Sequence, residues 1–412
     1  RTGSNVMSFG ATKLLAASGG KAYEIDQSLL FDSGDSADLT KTMGAGGNRK
    51  TYTISMWLKR TKLGVRQAFI YGGSDNENYT TYADFSANDE LDFVFYSTGT
   101  GVIGRLKTNR VFRDVGSWYH VVLAMDTTES TAGDRMRMYI NGVEQTSFSV
   151  DTNPSLDSST HFLNEGFAHY IGNDDVDGYF DGLIAEVNVV DGSQLTPSSF
   201  GETDTATNAW IPKKYGGAYG TQGFYLKFVS GALGTDSSGE GNNWTANNVG
   251  NGDVLLDTPT NNFPIVNILE PVNTTISTFR QGTLNIKATA YSSGNYGNNF
   301  ASFILPTSGK WYVEMLTGIQ AGSGNVAQLG ISKQGPDGLV IPNQSQLVTT
   351  FSGTTGLNIS LYADTADLYD GGSSIDQDTG LTATSYVCAL AVDIDNDKVW
   401  VGYDGGSSIT WL

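Results

Sequence analysis

The sequence contains little cysteine, histidine, proline or charge. One Cys, three His and nine Pro stand among its 412 residues, and only 16% of the residues are charged. A single cysteine, Cys388, excludes an internal disulfide and a cysteine metal cluster. No stretch of the sequence reaches the roughly 18–20 apolar residues that a membrane-spanning helix needs. The apolar part of "ATKLLAASGG" is too short for a secretory signal, so membrane insertion is not expected.

The charge that is present is mostly negative, with a net charge of −19. Such a chain is not expected to bind nucleic acid or an anionic membrane surface. Glycine reaches 51 residues, with many Ser, Thr and Asn beside it, which favours short strands joined by tight turns over helices. Surfaces of this composition are common outside cells. Without a signal peptide, an extracellular location fits release by lysis, as for a virus particle.

Alternating apolar and polar residues recur along the chain, whereas helical periodicity is almost absent. In "RMRMYINGVEQTSF" the pair Asn141-Gly142 separates two alternating runs, which indicates a hairpin. Other predicted strands include "YTISMWLKR", "QAFIYGG", "ELDFVFYS", "WYHVVLAMD" and "GLIAEVNVVDG". We therefore predict an antiparallel β-sandwich over residues 28–200.

Six segments of this region resemble a known family. They are "SLLFDSGDSADL", "YTISMWLKR", "GSWYHVVLAMD", "RMYINGVEQ", "HYIGN" and "YFDGLIAEVNVVDGSQLTPSSF", and their order is that of a LamG-like jellyroll of the concanavalin A-like lectin/glucanase fold. Residues 1–27 precede this sandwich as a segment expected to serve as an anchor. Residues 201–262, rich in Gly and Asn, either complete the sandwich in permuted order or form a separate connecting layer.

Residues 263–412 contain a second strand-rich region. "GKWYVEML", "VAQLGISK" and "YVCALAVDIDNDKVWVGYDGG" resemble a SPRY (B30.2-like) domain, which is expected to be truncated because the family pattern continues beyond this chain. The predicted fold class is therefore all-β, with tandem antiparallel β-sandwiches: a LamG-like jellyroll, then an incomplete SPRY-like sandwich. Two such modules around a "DTPTNNF" connector resemble the arrangement in phage tail fibres and other virion surface proteins.

The sequence gives little support for catalysis. Glucanases of the resembled fold carry Glu-x-Asp-x-x-Glu on one strand, with two carboxylates flanking the glycosidic bond. In "EIDQSL", Glu24 and Asp26 fit this pattern, but Leu29 replaces the second glutamate. The three histidines, His120, His161 and His169, define neither a metal centre nor a nucleophilic triad. We predict that the chain is not an enzyme.

Two acidic stretches suggest calcium. In "GNDDVDGYFDG" the carboxylates could supply oxygen ligands, the alternative being a solvated acidic turn; the candidates are Asp174, Asp175, Asp177 and Asp181. The second stretch, "VDIDNDKVWVGYDG", has the ligand spacing of a calcium-binding helix–loop–helix. However, Lys398 takes the place of the required glycine, and the flanking residues are strand-forming. We predict a β-hairpin there, with Asp395, Asn396 and Asp397 in its turn.

Saccharide binding would use aromatic rings flanked by amides and carboxylates. A predicted loop in "DNENYTTYADF" supplies the candidates Asp75, Asn76, Asn78, Tyr79 and Tyr82. "YSSGNYGNNF" supplies Tyr291 and Tyr296, with Asn295 and Asn298 beside them. The alternative is ordinary loop polarity, with the tyrosines packed on the edge of the sandwich.

These observations favour a non-enzymatic phage virion surface protein, a tail fibre or similar appendage, that binds host-surface glycans. Its expected partners are other virion proteins, host polysaccharide or lipopolysaccharide, and copies of itself, with a trimer as one option. Calcium is the one cofactor considered. The alternatives are a purely architectural component, such as a capsid decoration or tail collar, and a secreted glycanase, which the residue at position 29 disfavours.

Overall fold

The computed structural model of the chain describes residues 9–10, 23–74, 79–175, 178–205, 207–263, 277–280, 285–288, 309–318, 328–331, 359–362, 368–370, 373–376, 385–396, 398–404 and 409–411. Within these residues the elements are β-strands and short 3-10 helices, and no helix is long and apolar enough to cross a bilayer. The predicted all-β fold class is therefore confirmed. The chain divides into two compact units, residues 15–262 and residues 1–14 with 263–412.

Residues 15–262 contain strands β2 to β19, since β1 (Phe9–Gly10) belongs to the other unit. Their bounds are β2 Ser28–Phe31, β3 Asp38–Thr42, β4 Thr51–Arg60, β5 Gln67–Gly73, β6 Tyr79–Phe85, β7 Glu90–Ser97, β8 Gly101–Val111, β9 Tyr119–Asp126, β10 Met136–Ile140, β11 Val143–Glu144, β12 Phe148–Thr152, β13 Ala168–Ile171, β14 Gly182–Asp191, β15 Gly201–Thr203, β16 Trp210–Pro212, β17 Phe224–Leu226, β18 Thr245–Asn247 and β19 Val254–Leu255. Short 3-10 helices span Ala132–Asp134, Pro197–Ser199 and Asn251–Asp253.

Two antiparallel sheets form the sandwich. The first has the order β11-β10-β9-β4-β14-β2-β19, with β17 paired to β14; the second has the order β12-β8-β7-β6-β5-β13-β3-β18. Three strands of residues 201–262 pair within these sheets, β17 and β19 in the first and β18 in the second. This segment therefore contributes to both layers.

The core lies between the sheets and follows from strand alternation. In β7, Leu91, Phe93 and Phe95 are buried toward the core, while Asp92 and Val94 lie on the opposite face of the sheet. Phe93 pairs across the second sheet with Ala83 and Leu106, which belong to the same core. A slip of one residue would turn the whole apolar row outward, so this pattern fixes the register.

The hairpin predicted at Asn141-Gly142 is present between β10 and β11. Both residues have positive φ, 49° for Asn141 and 80° for Gly142. Positive φ at both central positions is the geometry of the tight turn that Asn-Gly favours. The alternation and the turn residues thus act together in setting this register.

The end of this unit is held to the first sheet by a fully buried ion pair. Lys59 Nζ lies 2.7 Å from Asp257 Oδ2 and donates a second hydrogen bond of 2.7 Å to Asn262 Oδ1. Trp118 Nε1 donates to the other oxygen of Asp257 at 3.0 Å. Asp257 and Asn262 belong to "DTPTNNF", so the predicted connector is fixed onto the sandwich by its own polar residues.

The described residues of the other unit form three sheets. A five-stranded sheet has the order β1-β22-β27-β28-β29, β20 pairs with β21, and a four-stranded sheet has the order β23-β24-β25-β26. The bounds are β20 Ser277–Arg280, β21 Asn285–Ala288, β22 Lys310–Gly318, β23 Gln328–Ile331, β24 Ile359–Tyr362, β25 Leu368–Asp370, β26 Ser373–Asp376, β27 Ser385–Asp393, β28 Lys398–Asp404 and β29 Ile409–Trp411, with a 3-10 helix at Ile394–Asn396. The resemblance to a SPRY domain stays a prediction.

The acidic stretch near the end of the chain is a β-hairpin, as predicted. β27 and β28 pair antiparallel from Val387 opposite Asp404 to Asp393 opposite Lys398. Asp393 accepts hydrogen bonds from the backbone N–H and side-chain amide of Asn396, at 3.2 and 2.9 Å. These bonds stabilise the turn locally, which is the role that Asp and Asn commonly have at such positions.

Candidate functional site

The outer face of the second sheet carries a row of three tyrosines. Strand register places Tyr170 of β13 opposite Tyr71 of β5, and Tyr71 opposite Tyr82 of β6. The rings of Tyr71 and Tyr170 meet edge to face, with centroids 5.8 Å apart. Tyr71 is buried, whereas Tyr82 and Tyr170 are half-buried. We call Tyr71, Tyr82 and Tyr170 the tyrosine row.

Two predicted saccharide ligands, Tyr79 and Tyr82, lie in strand β6 rather than in the predicted loop. Because they are three residues apart on a strand, they point to opposite faces of the sheet. Tyr79 is 42% exposed and packs edge to face on His161, with centroids 5.2 Å apart. The structure therefore places Tyr82 on the outer face and separates Tyr79 from it.

Arg66 connects Tyr82 to residues from two other segments. Its guanidinium carbon lies 5.0 Å from the centre of the Tyr82 ring, a cation–π contact. Arg66 Nε donates to Asp84 Oδ2 at 2.5 Å, and its Nη1 donates to Asp174 Oδ2. A predicted saccharide ligand, Tyr82, and a predicted calcium ligand, Asp174, thus meet at one arginine.

Asp84 and Asp92 lie directly opposite each other on β6 and β7. Arg105 holds Asp92 in a bidentate arrangement: its Nε lies 3.0 and 3.1 Å from the two carboxylate oxygens, and its Nη2 donates to Oδ2. We call Arg66, Asp84, Asp92, Arg105 and Asp174 the acid–arginine cluster. Its carboxylates are buried, and its two guanidiniums are partly exposed.

Asp84 differs from the other carboxylates of the cluster in two ways. Its Oδ1 is buried and accepts no hydrogen bond from the described residues. Burial raises its pKa to about 6, with Arg66 opposing this shift and the charges of Asp92 and Asp174 adding to it. One oxygen of Asp84 is therefore fixed by Arg66, whereas the other is unsatisfied among the described residues.

Two of the predicted calcium residues, Asp174 and Asp181, accept hydrogen bonds from other residues of the protein. Asp174 Oδ1 accepts the Gly178 N–H at 2.8 Å while its Oδ2 pairs with Arg66. Asp181 accepts hydrogen bonds of 2.7 Å from the hydroxyls of Ser33 and Thr61. Asp175 is half-buried, and its backbone is left-handed, with φ 70°.

Asp177 lies outside the described residues, as do five predicted saccharide ligands, Asp75, Asn76, Asn78, Tyr291 and Tyr296. Among the residues that the structure does describe, no group of three or more His, Cys, Asp or Glu is placed to share a metal ion. Calcium binding by the stretch around Asp174 stays a prediction.

His120 is a fully buried part of the first sheet. Its ring is stacked on that of Trp57, with centroids 4.5 Å apart, and lies nearly parallel to that of Trp210, with centroids 6.0 Å apart. Trp210 Nε1 donates to His120 Nδ1 at 2.9 Å, so the proton is on Nε2, which donates to Ser55 Oγ at 2.9 Å. Burial lowers the pKa of His120 to about 3. The ring is thus held neutral in one tautomer.

The other two histidines are also buried among protein groups. His169 accepts the Leu163 N–H on Nε2 at 2.9 Å, so its Nδ1 donates to the Phe167 carbonyl at 3.1 Å. Burial lowers the pKa of His169 to about 4, and it lowers that of His161 to about 4 together with the charge of Arg49. Neither ring lies in the acid–arginine cluster.

The glucanase-like stretch lies on the other sheet. Leu29 is in β2 and fully buried in the core, while Glu24 and Asp26 are exposed. A side chain at position 29 therefore faces the space between the sheets, where it could not flank a bound saccharide.

The sequence-based search missed Arg66, Asp84, Asp92 and Arg105. A signal for two of them was present. Asp84 follows Tyr82 by two residues, and Asp92 alternates with Leu91 and Phe93, so strand periodicity places both on an outer face. Treating "DNENYTTYADF" as a loop concealed this relationship.

Comparison with known proteins supports the fold of this unit. Residues 31–199 match a laminin G family model described as the concanavalin A-like lectin/glucanases superfamily. No curated protein sequence matches the chain.

Similar solved structures include the native heptameric SAP-like pentraxin from Limulus polyphemus, 13% identical over 46% of this chain and 78% of that chain, with a TM-score of 0.30. Domain 4 of AbnA, an extracellular arabinanase from Geobacillus stearothermophilus in complex with arabinotriose, is 18% identical over 47% and 84%, with a TM-score of 0.30. The CBM40 of the Ruminococcus gnavus IT-sialidase is 14% identical over 39% and 92%, with a TM-score of 0.30. Similarity at this level does not indicate what this chain binds. The family match and the two-sheet sandwich give residues 31–199 the concanavalin A-like lectin fold.

Proposed function

We propose that the chain is a non-enzymatic phage virion surface protein, a tail fibre or similar appendage, that binds glycans of the host surface. The binding surface is the outer face of the second sheet, where the tyrosine row adjoins the acid–arginine cluster. The observation that carries the proposal is the position of Arg66, which contacts Tyr82 and both Asp84 and Asp174. It brings aromatic and charged groups together on one sheet face.

This combination suits a saccharide for physical reasons. Sugar rings present C–H faces that pack on aromatic rings, and Tyr82 and Tyr170 are half-buried aromatics on the same face. Sugar hydroxyls need fixed donors and acceptors, which the paired guanidiniums and carboxylates supply. Because the ion pairs already restrict these side chains, they lose little conformational entropy when a ligand binds. The ion pairs hold the polar groups in place before a ligand arrives.

Weak individual contacts would be sufficient on an oligomeric appendage. When several copies of one site are linked, later binding events become intramolecular, and avidity exceeds the affinity of a single site. A homo-oligomer, with a trimer as one form, assembled with other virion proteins, would present the sheet face several times to host polysaccharide or lipopolysaccharide. A secreted protein with the same site is the alternative location.

The test is saccharide binding by the full chain, using a panel of bacterial surface polysaccharides with and without calcium. Tyr82→Ala is expected to weaken binding about tenfold or more, since stacked aromatic area is lost. Tyr215→Ala is the matched control, because Tyr215 is a half-buried tyrosine that packs against Phe200 among residues of the first sheet. Binding that is equal in both variants, or absent from the wild type, would contradict the proposal.

An architectural role is the second candidate, and one observation favours it. Trp400 and Trp411, in the five-stranded sheet of the other unit, are 40% and 45% exposed. Exposed tryptophans are enriched at protein–protein interfaces. Imaging of the intact particle would distinguish the two functions: adhesion requires the lectin-like sandwich to face outward, whereas a closed symmetric shell without saccharide binding supports the architectural role.

A further inference from the structure

One buried oxygen on the candidate surface has no donor in the part of the chain that the structure describes. Asp84 is only 3% exposed, and its Oδ1 accepts no hydrogen bond from these residues, although its Oδ2 accepts one from Arg66. Buried polar atoms are almost always hydrogen-bonded, because an unsatisfied one costs free energy. An orphaned carboxylate oxygen beside an aromatic row therefore points to a ligand that donates.

The carboxylate of Asp84 and the ring of Tyr82 are neighbours on one face. Asp84 follows Tyr82 by two residues in β6, so the two side chains share the outer face of the sheet. Arg66 holds Oδ2 of Asp84 and contacts the ring of Tyr82. A sugar ring stacked on Tyr82 would therefore lie beside the carboxylate of Asp84.

The charge balance of the cluster restricts the ligand further. Three carboxylates, Asp84, Asp92 and Asp174, lie among two guanidiniums, those of Arg66 and Arg105. Both arginines are engaged: Arg66 bridges two of the carboxylates and Arg105 holds the third in a bidentate pair. The cluster is therefore negative by one charge, and the whole chain is negative by 19. Among the described residues of the cluster no guanidinium is left without a carboxylate, so an acidic sugar would be repelled.

We propose that Asp84 Oδ1 accepts a hydrogen bond from a hydroxyl of an uncharged sugar stacked on Tyr82, so that this surface selects neutral over acidic polysaccharides. The inference rests on the proposed glycan-binding function and adds the class of glycan and the atom that recognises it. Asp84 then acts as the residue that determines specificity. Arg66 is a positioning residue that fixes the carboxylate.

The first experiment needs no variant. The full chain is titrated by calorimetry, at about neutral pH, with two oligosaccharides of the same length and linkage, one of a neutral hexose and one of the corresponding uronic acid. The neutral form is expected to bind about tenfold or more tightly, because the negative charge of the cluster repels the carboxylate of the uronic acid. Equal affinity, or preference for the uronic acid, would overturn the inference.

The second experiment changes the accepting atom. In Asp84→Asn, Arg66 is expected to retain the amide oxygen, which leaves an NH2 group in the place of Oδ1. Affinity for the neutral oligosaccharide should then fall about tenfold. Asp151→Asn is the matched control, because Asp151 is an exposed aspartate on β12 of the same sheet. Circular dichroism and thermal unfolding check that both variants fold. If Asp84→Asn does not fold, the comparison of the neutral and the uronic acid oligosaccharide with the wild type still tests the inference.

The outcomes separate the two proposals. A wild type that binds no saccharide contradicts the proposed function and this inference with it. A wild type that binds in a Tyr82-dependent manner, but shows neither the neutral preference nor dependence on Asp84, contradicts the inference alone.

Discussion

Asp84 and Asp92 lie directly opposite one another on strands β6 and β7, and each is held by a different arginine. Two buried carboxylates side by side repel each other, so this arrangement exists only because Arg66 and Arg105 compensate it. The electrostatics that shape the candidate binding surface also bear on the stability of the sandwich.

Replacing Arg66 by methionine should destabilise the protein. The change removes the counter-charge of two buried carboxylates, Asp84 and Asp174, while keeping most of the apolar stem. We expect the free energy of unfolding, measured by urea denaturation, to fall by about 2 kcal/mol. Arg137→Met is the control, since Arg137 pairs with the more exposed Glu144 and should cost less than about 1 kcal/mol. Equal effects would contradict the account of the cluster.

Asp257→Ala should be more damaging, because it removes the carboxylate that pairs with the buried ammonium of Lys59. Breaking a fully buried pair costs about 3–5 kcal/mol. Asp157→Ala removes the partner of Lys50 in an exposed pair and should change stability by less than about 1 kcal/mol. The two variants can be compared by their urea midpoints. A small effect of Asp257→Ala would mean that the "DTPTNNF" segment does not hold the sandwich together.

The sandwich should lose stability as the pH falls below the unfolded histidine pKa of 6.5. His120 and His169 have folded pKa values lowered to about 3 and about 4, so the unfolded chain takes up their protons first. At about pH 5 each of these two histidines should have lowered the free energy of unfolding by about 2 kcal/mol relative to neutral pH. His161, whose pKa is lowered to about 4, acts in the same direction.

Three carboxyls of the described residues oppose this loss. Burial raises the pKa of Asp84 to about 6 and also raises the pKa values of Glu186 and Asp32, so their protonation favours the folded state over part of the same range. The three histidines lower the free energy of unfolding by more than Asp84 raises it, because each of their pKa shifts is at least as large as that of Asp84. Urea unfolding at about pH 7 and about pH 5 measures the difference. Stability that rises toward pH 5 would show that the histidines are not held neutral.

Gly142→Ala tests the hairpin beside His120. Gly142 has φ 80°, and an added Cβ would lie 2.5 Å from the ring of Trp210, which donates a hydrogen bond to His120. We expect a loss of about 1–3 kcal/mol in the free energy of unfolding. Gly133→Ala is the control, because Gly133 has open space around it and should change stability by about 0.5 kcal/mol or less. Similar losses in both would argue against a tight approach at this turn.

Local signals in the sequence predicted much of the fold. Alternation placed the strands of "YTISMWLKR" and "ELDFVFYS", and Asn141-Gly142 marked a hairpin, because each of these features depends on neighbouring residues only. The family resemblance of residues 28–200 then supplied the sandwich, and the match over residues 31–199 supports it.

The candidate site was only partly predictable, for a physical reason. Tyr82 and Asp174 were singled out separately, but Arg66, which joins them, lies 108 residues before Asp174. Contacts of that separation are set by strand order, which alternation does not reveal. Tyr79 and Tyr82 were grouped because they are close in sequence, whereas a strand turns side chains three residues apart to opposite faces.

The most direct test of the central claim is a crystal structure of the protein with the neutral oligosaccharide that binds it best. The account predicts a sugar ring stacked on Tyr82, with a hydroxyl within hydrogen-bonding distance of Asp84 Oδ1. A saccharide bound instead at the acidic turn around Asp174 to Asp181, on the first sheet, or in the other unit would contradict it.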